Sequence, residues 1–94
     1  MSYSLKFLPT AFKEWNKLDN SIRNQFKKKL EERLDNPKVK SAQLHGHQNL
    51  YKIKLRSSGY RLAYEVIDAE VVIMVIAVGK RDKGKIYRRV DDRS

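Results

Sequence analysis

Tyr51-Lys52-Ile53-Lys54-Leu55-Arg56-Ser57-Ser58-Gly59-Tyr60-Arg61-Leu62-Ala63-Tyr64-Glu65-Val66 alternates apolar and polar residues on either side of a short polar break. A period of two is the pattern of strands buried on one face. Ser57-Ser58-Gly59 supplies turn residues, so the stretch predicts a β-hairpin. With Ser58-Gly59 as a two-residue turn, Arg56 opposes Arg61, Lys54 opposes Ala63 and Lys52 opposes Glu65. The same register pairs Leu55 with Leu62 and Ile53 with Tyr64. Apolar side chains then share one face and polar ones the other, as a specified register requires.

Downstream, Asp68-Ala69-Glu70 turns the chain, and Val71 to Val78 is apolar at every position. Such a run predicts a strand covered on both faces, ended here by Gly79. Upstream, Tyr3 to Leu8 reads as a short strand, and Pro9-Thr10 opens a helix carrying Phe12, Trp15 and Leu18. Asp19-Asn20-Ser21 offers a break and a new N-cap. Ile22, Phe26, Leu30 and Leu34 then recur every four residues until Asn36-Pro37 stops the second helix. Lys38 to Asn49 is a loop punctuated by Gly46, and the charged tail from Lys80 to Ser94 has weak helical propensity around Lys83-Gly84-Lys85. Neither repeats nor low-complexity segments nor a linker interrupt the chain. The expected fold is α+β: a small antiparallel sheet of about four strands with two N-terminal helices packed on one face. Its order is βααβββ plus a C-terminal tail or short helix, residues 1–94 forming a single domain.

The chain has 94 residues, with 21 Lys and Arg against 11 Asp and Glu, a formal net charge of +10. A field of that sign favours polyanions, nucleic acid first among them. Charge alone separates neither RNA from DNA nor binding from catalysis, and a basic solvated surface without a catalytic role is the plainer alternative. There is no cysteine, hence neither a disulfide framework nor a thiolate metal site. No apolar run reaches the roughly 20 residues of a membrane-spanning helix, and Met1-Ser2-Tyr3-Ser4 lacks the pattern of a signal peptide. The expectation is a soluble protein of the cytoplasm without a membrane partner.

Strand alternation places Lys52, Lys54 and Arg61 on one sheet face, flanked by Arg56 and followed by Lys80-Arg81. Same-face neighbours on a sheet stand only about 5 to 8 Å apart, so these cations repel one another unless an anion lies between them. Any one lysine is more simply a solvated surface group; three together point to phosphate. His45 and His47 are the only histidines, and they sit in the predicted loop. No acidic or thiol side chain at useful spacing completes a metal site with them, so neither metal nor cofactor is expected. No glycine-rich phosphate loop, nucleophilic triad or paired-carboxylate site presents itself either.

Metal-free RNA cleavage requires a base for the 2′-hydroxyl, charge to stabilise the phosphorane and help for the leaving 5′-oxygen. Guanidinium and ammonium groups suit the second task. An ordinary lysine, with a pKa of about 10.4, is a poor base at neutral pH, but Lys52 and Arg61 beside Lys54 would favour its neutral form. Tyr87 is suited to stacking on a base or moving a proton, and equally to anchoring the tail.

The string from Tyr51 to Leu62 closely resembles the RelE toxins, as do Val78-Gly79-Lys80-Arg81, Lys13-Glu14-Trp15 and Lys27-Lys28-Lys29-Leu30. The similarity covers nearly the whole chain. It implies a toxin that enters the ribosomal A site and cuts the messenger RNA codon there, leaving a 2′,3′-cyclic phosphate. By that likeness Lys54 is the general base, Arg81 stabilises the phosphorane and assists the leaving oxygen, Lys52 and Arg61 clamp phosphate, and Tyr87 stacks or orients. Arg56, Lys80, His45, Lys27 and Lys28 are the further RNA or ribosome contacts implied. The family also implies a RelB-like antitoxin, the 70S ribosome as the place of action in a bacterial cytoplasm, and operator DNA bound only through the antitoxin complex. His45 departs from the family, standing where relatives can carry a loop arginine. Glu65, opposite Lys52 in the predicted register, would partly neutralise the patch. Arg88-Arg89-Val90-Asp91-Asp92-Arg93-Ser94 is more polar than an apolar docking helix. Two rivals remain at this point: a non-catalytic basic RNA-binding module, and a DNA-binding protein, which the absence of a helix-turn-helix signal disfavours.

Overall fold

The computed structural model describes residues 2–80, and these form β1 (Ser4–Phe7), α1 (Pro9–Asn16), α2 (Asn20–Asp35), β2 (Leu50–Leu55), β3 (Tyr60–Ile67) and β4 (Val72–Lys80). The α+β order expected from the hydrophobic pattern is present. β2 and β3 make the hairpin, but its register differs from the expected one. Lys54 opposes Arg61, Lys52 opposes Ala63, Leu50 opposes Glu65, Ile53 opposes Leu62 and Tyr51 opposes Tyr64. The turn is four residues wide, Arg56 to Gly59, rather than two. A tight two-residue hairpin turn needs φ > 0 at one or both central residues, and Ser58 is a poor host for that. Only Gly59 takes it, at φ +77°, donating its N–H to the Leu55 carbonyl at 2.9 Å. The register shift is two residues, so every side chain keeps its predicted face. Glu65 no longer opposes Lys52.

The four-stranded sheet runs β1-β4-β3-β2. β3 and β4 are antiparallel, but β1 lies parallel to β4, with Ser4 opposite Val72 and Phe7 opposite Val75. The sheet is therefore mixed, not antiparallel throughout. Alternation reports which face a residue takes and carries no sign of strand direction; here direction follows from α1, which leaves β1 at Leu8 and packs along β4. β4 also differs at both ends from the expected run. Val71 takes a left-handed conformation, φ 54° and ψ 50°, after a 3-10 turn at Asp68–Glu70, and the strand begins at Val72. Gly79 does not end it; the ladder continues with Gly79 opposite Arg61 and Lys80 opposite Tyr60.

Both helices cover one face of the sheet. Ala11, Trp15, Leu18, Ile22, Phe26 and Leu30 pack against Tyr51, Ile53, Leu55, Leu62, Tyr64, Val66, Ile73, Val75 and Val78. On the other face the described residues form a small cluster, Leu44 from the loop with Leu50, Ala63, Ile76 and Ala77. A β-bulge between Ala63 and Tyr64 shifts the β4 register there, and β4 is buried from both sides as its apolar run predicts. Neither helix has a side-chain N-cap hydrogen bond; Leu8 and Asp19 occupy the cap positions. At the start of β1, Tyr3 Oη donates to Asp68 at 2.7 Å and Lys38 pairs with the same carboxylate at 2.5 Å. Lys38, then Tyr3, hold the Asp68 carboxyl below its ordinary range.

Among the described residues Tyr64 is the largest fully buried side chain. Its hydroxyl donates to the Pro37 carbonyl at 2.7 Å and accepts from Arg33 Nη1 at 2.8 Å. Burial raises its pKa above the ordinary value. Because the folded pKa exceeds the unfolded one, this contribution to stability is complete below about pH 10 and is lost as pH rises through the folded value. Tyr64→Phe leaves the Arg33 and Pro37 groups without that partner and is expected to cost roughly 1–3 kcal/mol. Urea unfolding at neutral pH measures the loss. The tyrosinate absorbance that Tyr64→Phe removes should appear in the parent chain only together with unfolding in an alkaline titration; its appearance before unfolding would contradict this.

Candidate functional site

β2 and β3 bring Lys54 and Arg61 directly opposite each other, where same-face Cβ atoms stand about 4.5–5.5 Å apart. Lys52 follows two residues along β2, roughly 7 Å away on the same face. Lys54 is exposed, while Lys52 and Arg61 are half-buried. The three predicted cations therefore share the face that the helices leave uncovered. Beside them lies an open depression of about 330 Å³ lined by Lys54, Leu55, Arg56, Gly59, Tyr60 and Arg61. The four-residue turn is what places Arg56 at its rim. Ala63, and not Glu65, stands directly opposite Lys52.

The loop between α2 and β2 is held to this same face. Leu44 packs on Leu50 and Ala63, its N–H donates to the Leu50 carbonyl at 2.8 Å, and Gly46 takes φ +81°. Gln43 Nε2 donates to the His47 and Gln48 carbonyls, both at 2.9 Å. His45 is exposed on this loop, at a depression of about 440 Å³ also lined by Lys40 and His47. It thus sits on the sheet face that carries Lys52.

Not every expected contact joins the patch. Lys80 opposes Tyr60, so alternation turns it to the helix side, where its ammonium lies 6.0 Å from the Tyr60 ring centroid. Lys27 and Lys28 are exposed on α2, in the layer behind the sheet. Arg81 and Tyr87 lie outside the described residues. Among the described residues no three His, Cys, Asp or Glu side chains converge as a metal-binding group would require.

One contributor escaped the sequence pattern. Arg33 Nη1, besides meeting Tyr64, reaches the backbone carbonyl of Lys52 at 3.4 Å. It thereby occupies an acceptor on the open edge of β2 and braces the strand that carries Lys52 and Lys54. Its signal was present in the sequence: Arg33 stands three residues after Leu30 on the core stripe of α2, a place where a charge needs a partner.

Chemically the site is a short cationic trough. Arg61 offers a planar fork that grips two phosphate oxygens, and the lysines supply compact charge. Among the described residues its lining, Lys54, Leu55, Arg56, Gly59, Tyr60 and Arg61, includes no Ser, Thr, Cys, Asp or Glu.

Comparisons with known proteins place the chain in a family. Residues 5–84 match the family described as ParE toxin of type II toxin–antitoxin system, parDE. The mRNA interferase toxin RelE of Escherichia coli K12 is 53% identical over 87 residues, 93% of this chain and 92% of that protein. The structure of the free E. coli toxin RelE carrying two arginine-to-alanine replacements superposes with a TM-score of 0.92 at 49% identity, covering 99% of this chain and 98% of that one. RelE in the intact E. coli RelBE toxin–antitoxin complex gives 0.84 at 52% identity over 87% of this chain and all of that chain. The chain belongs to the ParE toxin family of type II toxin–antitoxin systems and stands among its RelE toxins.

Proposed function

We propose that this chain is a toxin that cleaves messenger RNA in the ribosomal A site of the bacterial cytoplasm. Residues 1–94 act as one domain, without metal or cofactor. The observation that carries this is the direct opposition of Lys54 and Arg61, with Lys52 beside them, on the sheet face the helices leave open. The relatives named mRNA interferase RelE, at about half sequence identity, support it.

In the reaction the 2′-oxygen attacks the adjacent phosphorus while the 5′-oxygen leaves, giving a 2′,3′-cyclic phosphate and a free 5′-hydroxyl. Lys54 takes the 2′-hydroxyl proton. Arg61 and Lys52 hold the non-bridging oxygens and offset the charge that builds on the phosphorane. Arg81 completes that stabilisation and assists the leaving oxygen, and Tyr87 stacks on or orients a base; both assignments rest on the resemblance to the RelE toxins. Arg56 and His45 extend the contact to flanking phosphates, with Lys27, Lys28 and Lys80 serving ribosome contacts outside the trough. A RelB-like antitoxin neutralises the chain, as in the complexes of its relatives, and operator DNA is bound only through that complex.

Primer extension on translating messages, with and without the chain, tests this. The expected result is new stops within A-site codons, with 2′,3′-cyclic phosphate at the upstream ends. Free RNA of the same sequence should be cut poorly, because the ribosome supplies an alignment that can contribute several kcal/mol, up to about 7–11. RNA binding that weakens steeply with salt and yields no cyclic phosphate would instead establish a non-catalytic binding module. A footprint on DNA by the isolated chain would establish the DNA-binding alternative.

A further inference from the structure

β4 outruns its neighbour on one side. β1 stops at Phe7, opposite Val75, and the Leu8 N–H makes the last contact along that edge, to the Val75 carbonyl at 3.0 Å. Beyond it β4 continues to Lys80, and among the described residues no strand lies beside it on that edge. Val78, opposite Leu62 on its other side, is 1% exposed. Its N–H points away from β3 toward α1, where Glu14 Oε1 accepts it at 3.1 Å. A buried backbone N–H needs an acceptor, and an ionised carboxylate is a stronger one than a carbonyl. Glu14 follows the buried Ala11 by three residues and precedes the buried Trp15, so it flanks the core side of α1 and is itself half-buried. It replaces the strand that β1 is too short to provide.

This anchor lies one residue before the part of β4 that borders the cationic trough. Gly79 opposes Arg61, Arg61 opposes Lys54, and Arg81 comes two residues after Gly79 in sequence. We propose that Glu14 is a positioning residue for cleavage: by holding the Val78 N–H it fixes the end of β4 against β3, and so sets the strand beside Arg61. Glu14 touches no RNA, because it belongs to the helical layer behind the sheet. The assignment rests on the cleavage activity proposed above.

Single-turnover cleavage on programmed ribosomes, with parent, Glu14→Ala, Glu14→Gln and Lys54→Ala chains, tests it. A misplacement of about 1 Å at a reacting centre can cost on the order of 100-fold, so Glu14→Ala should lower kcat by tenfold or more, with KM within about twofold of the parent. Glu14→Gln keeps an oxygen acceptor at the same reach and should cleave within about threefold of the parent. The Val78 amide should exchange slowly with solvent in the parent and the Gln variant and quickly in the Ala variant. Parent-like kcat in Glu14→Ala, a change confined to KM, or a Gln variant as poor as Ala would each overturn the proposal. Should Glu14→Ala not fold, the Gln variant and the parent's Val78 exchange decide, and an unprotected Val78 amide overturns it. A parent chain that cuts nothing rejects the cleavage activity itself. An active parent, an inactive Lys54→Ala and a fully active Glu14→Ala reject only the role of Glu14.

Discussion

Lys54→Ala is expected to lower ribosome-dependent cleavage by roughly 10²–10⁴-fold, the usual contribution of a positioned acid or base. Growth arrest on expression should disappear with it. Lys54 is exposed and at the strand surface, so stability should change by less than about 0.5 kcal/mol, and ribosome binding should largely survive. Lys54→Arg separates the two roles a cation can play here. Arginine keeps the charge but does not give up its proton, so a proton-accepting Lys54 makes the Arg variant nearly as defective as the Ala variant. Recovery of most of the rate in Lys54→Arg would make Lys54 a phosphate clamp instead. Arg81→Ala should cost about 10²–10³-fold through lost charge at the phosphorane. If Lys54→Ala and Arg81→Ala both arrest growth as the parent does, the catalytic assignment is wrong.

The largest loss of stability is expected at Phe26. This side chain is fully buried between the helices and the sheet, with its ring centroid 6.3 Å from that of Trp15. Phe26→Ala removes an aromatic ring from a close-packed site and should cost about 3–5 kcal/mol. Domains have only about 5–15 kcal/mol in all, and one this short lies toward the lower end. The thermal midpoint should fall by roughly 12–40 °C, at 4–8 °C per kcal/mol. Phe26 packs on the face opposite the cations, so the fraction that remains folded in the cold should cleave with the parent's kcat. A loss below about 1 kcal/mol in urea unfolding would show that the core re-forms around the gap.

These two variants act on opposite faces of one sheet, and the division between the faces was legible in the residues alone. From Tyr51 to Val66 each residue's face follows from its parity. Because the register differs from the expected one by two residues, that assignment survives the wider turn. The stripe Ile22, Phe26, Leu30 likewise locates the buried side of α2 without coordinates. The partner across the strand was not legible. Whether Lys54 meets Ala63 or Arg61 depends on how many residues the turn uses, which backbone strain at Ser58 and Gly59 decides.

By itself, then, the order of residues determined the element types, the buried faces and the gathering of Lys52, Lys54 and Arg61 on one surface, since all three follow from local periodicity. Tertiary structure alone decided the parallel placement of β1, the continuation of β4 through Gly79, and the braces from Arg33 and Glu14. Those contacts join residues far apart in sequence: 19 positions from Arg33 to Lys52 and 64 from Glu14 to Val78. No repeat pattern encodes them. They exist because a buried donor or an exposed strand edge must find a partner wherever the packed chain brings one near.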